Sequence, residues 1–350
     1  MGKLKAAVLG ATGMVGQIYL QLLSRHPWFE LSAVTGKSNV GKKLVEAYRG
    51  KGWVPPEYAD IEVLPTDPSK VDADVVFSSL PTPVAREVEP KFAEAGLPVV
   101  SDASAYRMAP DVPLIVPEIN EDHLALIELQ KRNRRWDGYI VTTPNCTTVG
   151  LVMPLKALHD AFTLRYVNAV SMQAVSGAGY AGVPSIAIMG NIIPYIDGEE
   201  RKVIEEPRKI LGTLKDGNII PAEVSIDATC TRVPTLYGHL ISVTAELERD
   251  FTIDRVVDSF SSFKGKPQLL ELPTAPSRPI VVLTEDDRPQ PRIDVEVGDV
   301  KGMSVSVGRI RKGVNERTLL FVTLSHNLIR GAAGIAILTA ELLKVGGWLD

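Results

Sequence analysis

The stretch KAAVLGATGMVGQIYLQLL, residues 5–23, leaves this chain little freedom of fold. Small and branched apolar residues predict a strand over 4–10. Gly10, Gly13 and Gly16 follow at three-residue spacing, and a helical pattern runs over 14–27 towards Pro27. A strand that turns through glycines straight into a helix is the opening unit of a parallel, doubly wound sheet. The turn also has a chemistry. Glycines let the main chain approach a pyrophosphate, and the helix N-terminus meets it with free N–H groups and partial positive charge. G-x-x-G-x-x-G in this setting points to a dinucleotide site rather than to a tight turn that binds nothing.

The alternation continues. FELSAVTG (29–36), DADVVFSSLP (72–81), LPVVSDAS (97–104) and GYIVTTP (138–144) predict strands, with a helix over 83–96. The expected fold of residues 1–150 is therefore a Rossmann-type doubly wound parallel sheet. Beyond Gly150 the pattern changes. LVMPLKALHDAF reads as a helix, and YVNAVSMQAVSG, HLISVTAELE, PIVVLTED, MSVSVGRIRKG and RTLLFVTLSH read as long β-branched alternations. These predict an α+β domain with a mostly antiparallel sheet and helices on one face. The last segment, NLIRGAAGIAILTAELLKVGG (327–347), is an apolar helix whose first turns are rich in small residues. Two domains suit 350 residues.

Which dinucleotide is decided after the second strand. An acid there would hold the ribose 2′-OH of NAD. AVTGKSNVGKK has none; it offers Lys37 and Ser38, which suit the 2′-phosphate of NADP. The net charge of −4 gives no basic excess for nucleic acid, and no apolar run reaches the 18 residues of a membrane span. The N-terminus enters a strand pattern without the features of a signal peptide, so the expected location is cytoplasmic. Two cysteines, Cys146 and Cys230, make no disulfide framework and lie in no metal-ligand spacing.

Cys146 stands out. In YIVTTPNCTTVG (139–150) it follows Pro144-Asn145, a turn-forming pair at the end of a predicted strand, where a core cysteine would lie within an apolar run. A catalytic thiol needs a base, a site for an oxyanion and an anchor for substrate. His26, His123 and His159 read as helix ends or helix surface. His239 and His326 lie where loop meets strand and strand meets helix, and spacing alone does not choose between them. Arg232, seven residues before His239, and Arg107, past a strand end, add cations; Glu206 and Lys209 share a helix face at i,i+3. Cations with one acid are what a small, doubly charged substrate bearing an amino group requires.

Taken in order, GATGMVG (10–16), SDASAYRM (101–108), VPLIVPEIN (112–120), TTPNCTT (142–148), QAVSGAGY (173–180), EEPRKILG (205–212), RVPTLYGH (232–239) and HNLIRGAAG (326–334) carry a resemblance over nearly the whole chain. The sequence resembles the aspartate-β-semialdehyde dehydrogenase family, in its archaeal and fungal branch. The resemblance implies a cysteine nucleophile at Cys146, an acid/base at His239, an orienting glutamine at Gln173 and a shaping role for Asn145. It implies that Arg232 holds the substrate α-carboxylate, Glu206 its amino group, and Arg107 with Lys209 the phosphate. Gly10, Thr12, Gly13, Val15, Ser79, Gly177 and Asn327, with Ser38, fall where the family contacts NADP. It also implies a homodimer or homotetramer built through residues 151–326, with the C-terminal helix, 327–350, returning to the first domain. The expected reaction is NADPH-dependent reduction of aspartyl phosphate, with release of phosphate, through a cysteine thioester.

Two other readings compete. Reductases of malonyl-CoA and succinyl-CoA share this fold and cysteine, but their substrates lack an amino group, for which Glu206 has no use. A non-catalytic NADP-binding sensor would leave Cys146 a passive thiol and its charged neighbours without a task.

Overall fold

The computed structural model describes residues 2–48 and 52–349. Six parallel strands form the first sheet: β1 (Leu4–Leu9), β2 (Phe29–Gly36), β3 (Val63–Pro65), β4 (Val75–Ser78), β5 (Pro98–Ser101) and β6 (Tyr139–Thr142). Their order is β3-β2-β1-β4-β5-β6, so the strand order reverses between β1 and β4. Ligands of such sheets bind outside the carboxyl ends of the strands at that reversal. β1 alternates between two cores: Ala6 and Val8 join one apolar cluster, Ala7 and Leu9 the other. A strand buried on both faces needs the continuous apolar run this one has. The helices α1 (Met14–Leu23), α2 (Thr82–Glu94) and α3 (Leu126–Arg134) belong to this half. The expected strands are present; β3 is an addition, and α1 stops four residues before the predicted Pro27 boundary, at the Ser24–His26 turn.

α4 (Cys146–Phe162) leads into the second half, followed by β7 (Leu164–Ala174) and α5 (Glu199–Ile210). A small hairpin, β8 (Thr213–Lys215) and β9 (Asn218–Ile220), precedes β10 (Ser225–Val233) and β11 (His239–Leu247). Then come α6 (Ile253–Ser261), β12 (Ile280–Val282), β13 (Val305–Lys312), β14 (Thr318–Ser325) and α7 (Gly334–Val345). The second large sheet has the order β10-β7-β11-β14-β13-β12. Its four central strands are antiparallel, while β10 joins β7 and β12 joins β13 in parallel, so the sheet is mixed. α4 packs its apolar length, Val149 to Phe162, into the core beneath this sheet.

α7 does not stay with the second sheet. Ala336, Ile337, Leu338, Ala340, Leu342 and Leu343 join Tyr19, Phe29, Val34 and Phe77 in the core of the first. A bonded tie accompanies the packing. Glu341, fully buried, accepts from His26 Nε2 at 2.7 Å and from the Thr274 backbone N–H at 3.0 Å.

Candidate active site

The thiol sits on the first residue of α4. Asn145 is its N-cap, and the Asn145 Oδ1 accepts the N–H groups of Thr147 at 2.9 Å and Thr148 at 3.3 Å. An Asn cap with extended backbone is a standard way to begin a helix. It leaves Cys146 at the positive end of the helix dipole, which favours a thiolate. The apolar helical pattern begins after Gly150; the helix itself starts at the cysteine, directly after Asn145.

The second sheet delivers the partners. Arg232 on β10 is in register with Gln173 on β7, and Gln173 is in register with His239 on β11. Directly paired strand residues share a face, so the three side chains form a row. All three are buried. The row ends at the thiol: His239 Nε2 lies 3.2 Å from Cys146 Sγ. His239 Nδ1 accepts the Ala174 N–H at 3.2 Å, so the neutral ring carries its proton on Nε2, facing sulfur. Burial pushes His239 down to about 3, so it stays neutral. Burial also pushes the Cys146 thiol up, to about 12, with the Glu199 carboxylate adding to the rise and Arg107, Lys202 and Arg232 opposing it. The resting pair is thus a neutral thiol and a neutral imidazole. To act as an acid the ring must first take a proton on Nδ1, at the expense of the Ala174 contact. His326 is turned elsewhere; its Nδ1 accepts the N–H groups of Leu328 and Ile329 and its ring stacks on Tyr237.

The charged residues gather on the other side. Arg107 Nη1 meets Glu206 Oε1 at 3.0 Å, both side chains buried, and Arg107 Nη2 donates to the Asp102 carbonyl at 2.5 Å. Glu206 Oε2 accepts the Asn145 N–H at 2.7 Å. Arg232 Nη1 donates to the Ala174 carbonyl at 2.7 Å. Lys209 differs from its expected place in a phosphate pair. Its ammonium gives hydrogen bonds to the carbonyls of Arg107, Ala109 and Val112 at 2.7, 2.8 and 2.8 Å, so its three protons are directed at the loop that carries Arg107. Glu199, which the sequence reading passed over, accepts from Asn145 Nδ2 at 2.9 Å and from Lys202 Nζ at 3.1 Å. Its signal was available: it lies seven residues before Glu206, two turns along the same helix face.

A cleft of about 400 Å³ joins the thiol to the glycine turn. Gly13, Val15, Ser79, Asn145, Cys146, Gly177 and Asn327 all line it. Gly10 takes φ +77 and sits so tightly that a Cβ would come 3.0 Å from the Ser79 carbonyl; Gly16 packs on the Ala11 main chain. Thr12 is half-buried in the same turn. α1 has no side-chain cap at Gly13, which leaves its first N–H groups to a ligand. An uncapped helix end opening on a long cleft at the strand reversal fits a dinucleotide. Lys37 and Ser38 stand exposed past the end of β2, outside the cleft lining. Among the described residues no cluster of metal-ligating side chains occurs.

A model of the semialdehyde dehydrogenase NAD binding domain matches residues 5–127, and one of the semialdehyde dehydrogenase dimerisation domain matches residues 155–330. An aspartate-semialdehyde dehydrogenase of Archaeoglobus fulgidus is 54% identical over 342 residues, 96% of each chain. The chain belongs to the aspartate-semialdehyde dehydrogenase family. A malonyl CoA reductase (NADP) of Metallosphaera sedula is 44% identical over 99% of this chain and 98% of its own. The crystal structure of the Candida albicans aspartate-semialdehyde dehydrogenase with NADP superposes with a TM-score of 0.90 at 38% identity, covering 98% of this chain and 99% of that one. As a member of this family the chain is an oxidoreductase with a dinucleotide-binding parallel sheet, and its second half is a dimerisation domain, which makes it a homo-oligomer. No described helix is long and apolar enough to cross a membrane.

Proposed function

We propose that this chain carries out the NADP-dependent reductive dephosphorylation of L-aspartyl-4-phosphate to L-aspartate-4-semialdehyde, a step towards lysine, threonine, methionine and isoleucine. The observation that carries the reading is the 3.2 Å approach of His239 Nε2 to Cys146 Sγ, in a cleft that reaches the glycine turn. Cys146 Sγ attacks the acyl carbon, the C–O bond to phosphate breaks, the thiol proton leaves with the phosphate as hydrogen phosphate, and a thioester remains. NADPH, when bound, supplies the hydride that reduces this thioester. The C–S bond then breaks, the aldehyde departs, and the thiolate takes a proton from solvent to restore the resting thiol. The Nε2–H of His239 donates to sulfur and to the oxygen that gains charge beside it. Gln173, next in the row, orients the acyl group, and Asn145 shapes the helix start that holds the thiol. Arg232 takes the α-carboxylate, Glu206 the α-amino group and Arg107 the phosphate. Lys209 acts on phosphate through the Arg107 loop it supports. Gly10, Thr12, Gly13, Val15, Gly16, Ser79, Gly177 and Asn327 serve the cofactor, and Lys37 with Ser38 the 2′-phosphate.

Residues 1–150 with 327–350 form the cofactor domain in this reading, and 151–326 the catalytic and oligomerisation domain, in a cytoplasmic homodimer or homotetramer. The Metallosphaera relative makes malonyl-CoA the competing substrate to test. Steady-state assays of NADP, phosphate and aspartate semialdehyde, run beside NADPH with malonyl-CoA, decide. Turnover is expected in the first; faster turnover in the second overturns the substrate assignment. Cys146→Ser is expected to bind NADP normally and lose turnover by several orders of magnitude, and a variant keeping more than roughly a tenth of the rate would exclude the covalent route.

A further inference from the structure

α5 points two carboxylates at one peptide. Glu199 and Glu206, two turns apart, both reach Asn145, the residue before the nucleophile: Glu206 takes its backbone N–H at 2.7 Å and Glu199 its carboxamide Nδ2 at 2.9 Å. Glu199 Oε1 also accepts from Thr147 Oγ1 at 3.3 Å. The second contact settles an orientation. A carboxamide is almost symmetric in shape, and only its hydrogen-bond partners tell oxygen from nitrogen. With Nδ2 directed at a carboxylate, Oδ1 must face the N–H groups of Thr147 and Thr148, which it caps. The reverse orientation would set NH₂ against two backbone donors and oxygen against a carboxylate.

Glu199 itself is 5% exposed. Burial works against its charge, but Lys202 and Asn145 outweigh that and hold its carboxyl below the usual range. Its oxygens meet Lys202 on one side and Asn145 with Thr147 on the other. Around Cys146 the charged groups are Glu199, Glu206 and Lys202 from α5, Arg107 and Asp102 from the segment after β5, Arg232 from β10 and the titratable His239 from β11. We infer that Glu199 is a positioning residue for the nucleophile: it fixes the Asn145 carboxamide at the start of α4 and keeps a negative charge beside the Cys146 thiol. The two effects oppose each other. The cap keeps the helix N-terminus, which favours thiolate, in place; the charge restrains ionisation, so that the thiol is held in reserve until substrate arrives. Lys202 moderates that restraint from the other side of Glu199. This inference rests on Cys146 being the nucleophile.

The test compares wild type, Glu199→Gln and Lys202→Met as full-length oligomers. Alkylation of Cys146 by iodoacetamide is followed against pH by mass spectrometry, and kcat and KM are measured for each protein. Glu199→Gln is expected to move the alkylation midpoint down by about 1 pH unit, because a negative charge has left the thiol. Its kcat should fall on the order of 10- to 100-fold, because the cap has lost its fixed orientation, while the KM for NADP changes less than about twofold. Lys202→Met, which touches Glu199 but not Asn145, should move the midpoint up. Lys202 is partly exposed, so this variant carries the test even where Glu199→Gln accumulates poorly. Midpoints that stay put or move in the same direction overturn the inference, as does a Glu199→Gln enzyme with kcat within twofold of wild type. Alkylation reads the thiol whatever acyl group the enzyme accepts. Wild-type turnover that survives complete alkylation of Cys146 would instead remove the nucleophile, and with it the proposed reaction.

Discussion

Gly331 shows how closely the nucleophile is seated. A methyl group there would fall 2.6 Å from the Cys146 Cβ and 2.9 Å from its Cα, so alanine must push either the Ile329–Ala333 π-turn or the start of α4. Gly331→Ala is expected to lower kcat roughly 100-fold, the scale of an ångström-sized displacement at a reacting atom. Equal kcat in the two proteins would show that the π-turn yields freely. Glu89 makes the residue scale visible in stability. It is fully buried on α2 with the Ser101 hydroxyl on Oε1, and burial raises its carboxyl from 4.5 to about 7. A carboxyl raised on folding binds its proton more tightly in the native state. Its contribution is fully present below pH 4.5 and is lost as pH rises through 7. Urea unfolding of Glu89→Gln at pH 5 and pH 8 should therefore show less loss with rising pH than wild type, by about 2 kcal/mol; parallel losses would contradict the assignment. At this scale the sequence was partly readable. Cys146 announced itself by its turn-forming neighbours. The histidines did not: His123, expected on a helix surface, is wholly buried between Asn120 and the Gly212 carbonyl, a long-range partner that no local pattern reveals.

Among the elements, helices were legible in their apolar period and less so in their ends. α4 begins five residues earlier than its pattern, because the Asn145 cap, not the first apolar residue, starts it. β10 is not among the predicted strands, for SIDATCTRV mixes polar and apolar residues; yet it alternates as an edge strand should and carries Arg232 into the row with Gln173. Lys209 on α5 shows the difference between a residue and its element. Removal of its ammonium leaves the carbonyls of Arg107 and Val112 without a donor and that of Ala109 with only the Val112 N–H at 3.3 Å. Lys209→Met should destabilise the protein by about 2–4 kcal/mol, as a buried charged hydrogen-bonding group does when deleted. It should also raise the KM values for phosphate and semialdehyde together, since the loop bearing Arg107 loosens. A rise for phosphate alone, with unchanged Tm, would return Lys209 to direct phosphate contact.

For the molecule as a whole, the parallel sheet of the first half and the mostly antiparallel sheet of the second were readable, because periodicity records which faces are buried. The long-range ties were not. Glu118 and Arg330, 212 residues apart, form a two-pronged pair at 2.7 and 2.6 Å with neither side chain exposed. Glu118→Leu leaves a buried guanidinium unmatched and should cost about 3–5 kcal/mol in denaturant unfolding, whereas the double replacement Glu118→Leu with Arg330→Met should recover most of that loss. Failure of the double variant to recover would show that the pair stabilises beyond its own charges. α7 raises the last consequence. It fills the core formed by β1, β2 and β4, yet it leaves the ribosome long after them. The sheet, whose last strand ends at Thr142, must then wait with an open apolar face until the chain has been translated past Gly334. Nascent chains stalled before residue 334 should be protease-sensitive throughout that sheet and become resistant only once α7 has emerged, so the first sheet matures only after the second has been made.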